Sequence, residues 1–197
     1  MSVTSNQALR TLFTSDRYRL GLRWWLGVNL VDRDQGVLTC VGCQSELDSQ
    51  GNHLLCCPRI NYATRHNAVQ EALASILQTT GQGFSKEVPI PNCPDGQLRP
   101  ADLLLRAWDN GLDCAVDITV SHGWQLLERS AAVSRERWRS FLSRKEAAKK
   151  TKYAAACRNA GWSFCPCAFG TWGGIGPEGA KMLARILKRA ASWETNH

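Results

Sequence analysis

The sequence contains no apolar run near 18 residues and no signal-peptide pattern at its N-terminus. The first absence excludes a helical membrane span, and together they predict a soluble, intracellular chain, nuclear in a eukaryote. Internal repeats and low-complexity tracts are also missing, so neither a repeat array nor a disordered tract organises the chain. Lysine is scarce, seven residues against seventeen arginines. The basic charge therefore rests mainly on a side chain suited to bidentate phosphate contacts. The nine cysteines are an odd number, which argues against a closed disulfide framework. Some should bind metal and the rest should be reduced, buried thiols.

At 197 residues the chain can bury a core of its own, as one domain or as a domain with a small module. Its net charge is +7, and the surplus is local. Residues 128–158 hold ten Lys/Arg against three Glu, a net +7 equal to that of the whole chain. An element that carries all the excess charge reads as a phosphate-tracking surface, and the expected partner is nucleic acid rather than membrane.

Composition divides the chain into an N-terminal part, 1–60, and a larger part, 61–197. Residues 7–31 read as one or two helices. Residues 37–58, VLTCVGCQSELDSQGNHLLCCP, are short, turn-punctuated and rich in cysteine. From Asn61 to Thr80 the apolar positions Val69, Leu73, Ile76 and Leu77 repeat at helical spacing, and Gly81 ends the helix. A short strand is expected at Glu87–Ile90. Two further strands flank Asp109-Asn110-Gly111, a hairpin signal. A long basic helix is expected from about Leu126 to Ala160, then a strand in GWSFCPCAFG and a closing helix with Pro177 near its start. This order gives a mixed α/β core behind a cysteine module.

In the module, Cys40-x2-Cys43-x9-His53-x3-Cys57 supplies two close ligand pairs separated by a turn. Zinc wants four N/S ligands in a tetrahedron, and such pairs close one with little chain strain. Four protein ligands leave no open position, so this Zn²⁺ is structural. Cys56 competes with Cys57 for the fourth place, and His66 is a more distant candidate. Cys93, Cys114, Cys157, Cys165 and Cys167 read as core thiols.

Residues 99–120, RPADLLLRAWDNGLDCAVDITV, place an aspartate in each of two apolar runs. Asp102 and Asp117, on either side of the hairpin, can face each other across one sheet. Two converging carboxylates are ionised cheaply only with a cation between them, and Mg²⁺ sits well on one or two carboxylates. The backbone carbonyl of Ile118 and the carboxylate of Glu87 are further candidate ligands. A lysine to position the attacking water is expected next, but Thr119 stands two residues after Asp117. The basic helix offers Lys145, Lys149 and Lys152, which prolong a stripe from Trp138 and Leu142 at 4-3-4-3 spacing.

Arg99-Pro100-x-Asp102, fourteen residues, Asp117, and then Lys149-x2-Lys152-Tyr153 on a helix resemble a PD-(D/E)XK nuclease core. With the Cys-Cys-His-Cys knuckle and Arg65-His66-Asn67, the chain resembles the restriction-like endonuclease domain at the C-terminal end of site-specific non-LTR retrotransposon polyproteins. The likeness covers roughly residues 20–190. It implies a DNA endonuclease whose catalytic Mg²⁺ or Mn²⁺ is bound by Asp102 and Asp117. In such a site a helix lysine, Lys149 or Lys152, would orient the water or stabilise the growing charge. Arg99, Arg135, Arg139 and Lys145 would contact DNA. The sequence departs from the pattern at Ala101, which splits the Pro-Asp pair, and at Thr119, which takes the usual place of the lysine. An inactive nucleic-acid-binding zinc protein on the same core, or a junction or repair nuclease, is the alternative.

Overall fold

The structure is a computed structural model. It describes residues 14–30, 36–60, 62–91, 99–123 and 135–194. These fall into two compact units that divide between Tyr62 and Ala63.

In the first unit, α1 (Ser15–Trp25) begins at Thr14, whose hydroxyl accepts the Arg17 N–H. A tight turn brings Thr39 opposite Glu46, and α2 (Asn52–Cys56) follows. The Asp48 carboxylate caps α2 by accepting the backbone N–H groups of Gln50, Asn52 and His53. Burial pushes its carboxyl up, but these amides outweigh it and hold the group below its ordinary range.

In the second unit, α3 (Tyr62–Thr79) leads into β1 (Phe84–Val88). Then come the hairpin strands β2 (Ala101–Asp109) and β3 (Leu112–Ser121), and α4 (Arg135–Asn159). β4 (Ser163–Gly170) and α5 (Pro177–Glu194) complete it. The sheet order is β1-β2-β3-β4, with β3 and β4 parallel and the other pairs antiparallel. The fold is thus α/β, a four-stranded mixed sheet flanked by helices. Leu103, Leu105, Val116 and Ile118 pack with Leu73 and Leu77 of α3 and Met182 and Ile186 of α5. Leu104 and Ala115 pack with Cys157, Tyr153 and Ala156 of α4. Burial on both faces explains why β2 and β3 read as apolar runs rather than alternating strands.

Local signals hold where turn chemistry sets them. Asn110 and Gly111 both take positive φ, 49° and 85°, as a two-residue primed turn requires, and Asp109 pairs Leu112 across it. Gly81 ends α3 in the left-handed region at φ 66°. There the Gln82 N–H reaches Leu77 O and the Gly81 N–H reaches Gln78 O, a Schellman closure.

Two boundaries differ from expectation. β1 starts at Phe84 rather than Glu87, because Phe84 pairs Leu105 and packs into the core. It stops at Val88 because Pro89 has no N–H for the ladder. The long helix begins its described course at Arg135; the expected turns over 126–134 lie outside the described residues, as does Cys93. Cys114, Cys157 and Cys167 are buried, and Cys165 is half-buried.

The basic helix also buries an acid. Glu146 of α4 is 2% exposed, and its carboxylate accepts N–H groups from Ala168, Glu178 and Gly179. It caps α5 from another element, since the residue before Pro177 is Gly176, which has no capping side chain. A Cβ at Gly176 would overlap the Glu146 carboxylate. Replacing Glu146 with Ala strands buried amides and removes charge-assisted bonds, so a loss of about 3 kcal/mol is expected. In thermal melts that is a drop of about 6–12 °C. Glu146→Gln, which keeps one acceptor oxygen, should lose less.

Candidate functional site

The register Leu103↔Val116 places Asp102 directly opposite Asp117, and side chains so paired share a face of the sheet. This is the face α4 covers. Asp102 is 8% and Asp117 4% exposed. One carboxylate is held by each flanking helix. On α4, Lys149 Nζ stands 3.0 Å from both Asp117 oxygens and hydrogen-bonds Oδ1. On α3, His66 Nε2 stands 3.0 Å from Asp102 Oδ2, which also accepts the Ile118 N–H. Ile118 thus meets the site through its amide.

Glu87 reaches the same corner from β1. Gln70 Nε2 donates to Glu87 Oε1 at 2.6 Å and to the Asp102 carbonyl at 2.8 Å, so one amide ties the third carboxylate to the second strand. Glu87 sits opposite Asp102 in the β1–β2 register and takes φ 52°, a left-handed conformation unusual for a glutamate in a strand.

The electrostatics of the pair are unbalanced. Burial pushes the Asp117 carboxyl above its ordinary range, Lys149 pulls it back down, and the neighbouring Asp102 pushes it up again. The Asp102 hydrogen bond raises the His66 imidazole. Asp117 Oδ2 has the Lys149 ammonium 3.0 Å away but accepts no hydrogen bond from a described residue, and Thr119 Oγ1, two residues along β3 on the same face, is buried and likewise without a hydrogen-bond partner among the described residues. These are hard oxygen donors beside a second carboxylate, while among the described residues three or more Cys, His or acidic ligand atoms converge only at the Cys/His cluster of the first unit.

Of the three lysines, Lys149 bonds a site carboxylate. Lys152 Nζ lies 4.8 Å from the centre of the Tyr153 ring and Lys145 Nζ 5.4 Å from that of Phe141, both on the exposed side of α4. The inward face of α4 runs Trp138, Leu142, Glu146, Lys149, Tyr153, Cys157, with Glu146 where the stripe placed Lys145. Arg99, Arg135 and Arg139 are exposed. His66 and Gln70 were not assigned to this site from sequence. His66 and Gln70 stand one helical turn apart on α3, a spacing that could have pointed both at one strand.

In the first unit, ligand atoms of Cys40, Cys43, His53 and Cys57 all lie within 4.8 Å of one another. Cys40 and Cys57 Sγ are 3.7 Å apart, and Cys43 Sγ is 3.1 Å from His53 Nε2. Four bonds of about 2.0–2.3 Å at tetrahedral angles span such separations, so the cluster can hold zinc. The first pair sits on the turn, His53 sits on α2, and Cys57, four residues later, is the C-cap of that helix. Cys56 is exposed and outside the cluster, which gives the fourth place to Cys57. The Ser45 hydroxyl and amide beside Cys43 bring its thiol down to about 6, so it is readily a thiolate.

No protein-family model matches the sequence, and no curated protein matches it.

Proposed function

We propose that this chain is a Mg²⁺- or Mn²⁺-dependent DNA endonuclease with a PD-(D/E)XK core, related to the target-nicking endonucleases of non-LTR retrotransposons, and that zinc braces its N-terminal module. The observation that carries the reading is Asp102 facing Asp117 in register, with Lys149 on the second carboxylate. Buried acids so arranged are costly unless they bind a cation.

A divalent cation on Asp102 and Asp117 would polarise the scissile phosphate and supply a nucleophilic water. The chain's own groups do the rest. Gln70 fixes Asp102 through its carbonyl and holds Glu87 beside it. His66 and the Ile118 amide orient the Asp102 carboxylate. Lys149, 3.0 Å from Asp117, would donate a hydrogen bond to the attacking water or to the phosphoryl oxygens on which negative charge grows, the role a strand lysine would fill at position 119. The basic side of α4 tracks the phosphate backbone.

The test is incubation with single-stranded, duplex and branched DNA in Mg²⁺, Mn²⁺ or EDTA. Cleavage in the two metals and none in EDTA is expected. DNA binding without cleavage on any substrate would replace the reading with that of an inactive binding protein. Lys149→Ala should lower the cleavage rate about 10²–10³-fold, the cost of one preorganised donor, and Lys152→Ala far less.

A further inference from the structure

Beyond the carboxylates, the N-terminal half of α4 borders a groove of about 780 Å³ with walls of Arg135, Trp138, Arg139, Trp172 and Ile175. We propose that this groove binds an unpaired DNA strand, with a base stacked on Trp172 and its phosphates on Arg135 and Arg139. The proposal rests on the nuclease reading and narrows its substrate to DNA with a single-stranded stretch near the cut.

The groove has a rigid floor and a presented ring. Trp138 lies in a cradle of Gly123, Gly170 and Gly174, where any Cβ would overlap its indole. Trp172, by contrast, is 47% exposed. Its indole N–H donates to His122 Nδ1 at 3.3 Å, and the Thr171 hydroxyl lies 2.6 Å from the same nitrogen. An indole N–H can only donate, so Nδ1 accepts, and the Thr171 hydroxyl can donate to it as well. The indole N–H bond holds the ring by its edge, and nearly half of the residue's surface stays open to solvent.

Charge selects the occupant. Arg135 and Arg139 stand one turn apart on α4, and neither forms an ion pair or hydrogen bond with a described residue. Two exposed guanidiniums beside a half-exposed indole match a strand whose backbone is anionic and whose bases have open faces. Duplex bases are stacked on both faces and cannot cover the ring. Arg139 and Lys149 are ten residues apart on one helix, about 15 Å, so a strand leaving the groove reaches the aspartates within a few nucleotides.

The test reads binding without chelator and without added Mg²⁺ or Mn²⁺, where cleavage plays no part, by anisotropy of labelled oligothymidylate and of a blunt duplex of equal length. The 197-residue chain with its zinc should bind the single strand more tightly. Trp172→Ala should weaken that binding about 5–150-fold, the value of one stacked base, and Trp172→Phe should restore most of it. Replacing Arg135 and Arg139 together with Ala should flatten the slope of log affinity against log salt by about 1.4. Equal affinity for both DNAs, no effect of Trp172→Ala, or an unchanged salt slope would each overturn the proposal. No binding by the wild type would do so too. Cleavage by Asp102 and Asp117 variants tests the nuclease reading separately, so the two can fail independently.

Discussion

Asparagine at Asp117 is expected to yield a protein that no longer cleaves DNA yet resists heat better than the wild type when divalent cations are absent. The carboxyl is 4% exposed, and burial raises it above its ordinary 3.8 in spite of Lys149. The folded state therefore holds this proton more tightly than the unfolded chain does. Its stabilising contribution is present below the unfolded value and is lost as pH rises past 3.8 and through the higher folded value. At neutral pH the ionised group is thus a net cost to the metal-free fold. Asparagine keeps the shape and removes the charge, while Lys149, with a side chain 31% exposed, can turn to water. Melts in EDTA should show the variant ahead at pH 7 and the advantage shrinking toward acid. Added Mn²⁺ should raise the wild-type midpoint and leave the variant's nearly unchanged. Cleavage should fall by at least about 10³-fold, since several kcal/mol of transition-state stabilisation goes with the cation.

The second large effect concerns zinc. The first unit buries no side chain of α1, and its cluster of Cys40, Cys43, His53 and Cys57 is its most concentrated set of ligands. Elemental analysis is expected to find one zinc per chain. Metal binding at structural sites is worth about 10–16 kcal/mol at neutral pH, so stripping the ion should unfold the segment around the cluster. Hydrogen exchange over residues 37–60 should then rise to the unfolded rate. Cys40→Ser or Cys57→Ser should lose the zinc and the protection together. Cys56→Ser, whose thiol is exposed outside the cluster, should keep both.

These sites were unequally legible in the sequence. The hairpin was readable because Asn110-Gly111 answers a local demand for positive φ, and its two-residue loop then sets Asp102 against Asp117. The four-ligand cluster that can hold zinc was readable because spacing along a turn and the short helix after it decides which atoms converge. Lys149 could not be singled out, because its selection depends on how α4 rotates against the sheet. A lysine stripe favoured Lys145 inward; the helix instead buries Glu146, one residue and about 100° away. The amides of Ala168 on β4 and of Glu178 and Gly179 at the start of α5, some twenty to thirty residues later, make that burial tolerable. His66 and Gln70 were missed for a like reason: their partners lie on β1 and β2, and α3 alone does not say which turn meets them. The start of β1 was misplaced because Phe84 joins the ladder through its pairing with Leu105, a contact across about twenty residues.

The most direct measurement is the initial rate of DNA nicking in Mg²⁺ by wild type and Asp102→Asn, purified side by side and matched for zinc. A wild-type rate that EDTA abolishes, with the variant slower by at least about 10³-fold, is the expected result. Equal rates in the two proteins, or no nicking by the wild type with any divalent cation, would contradict the assignment of Asp102 and Asp117 as a catalytic metal site.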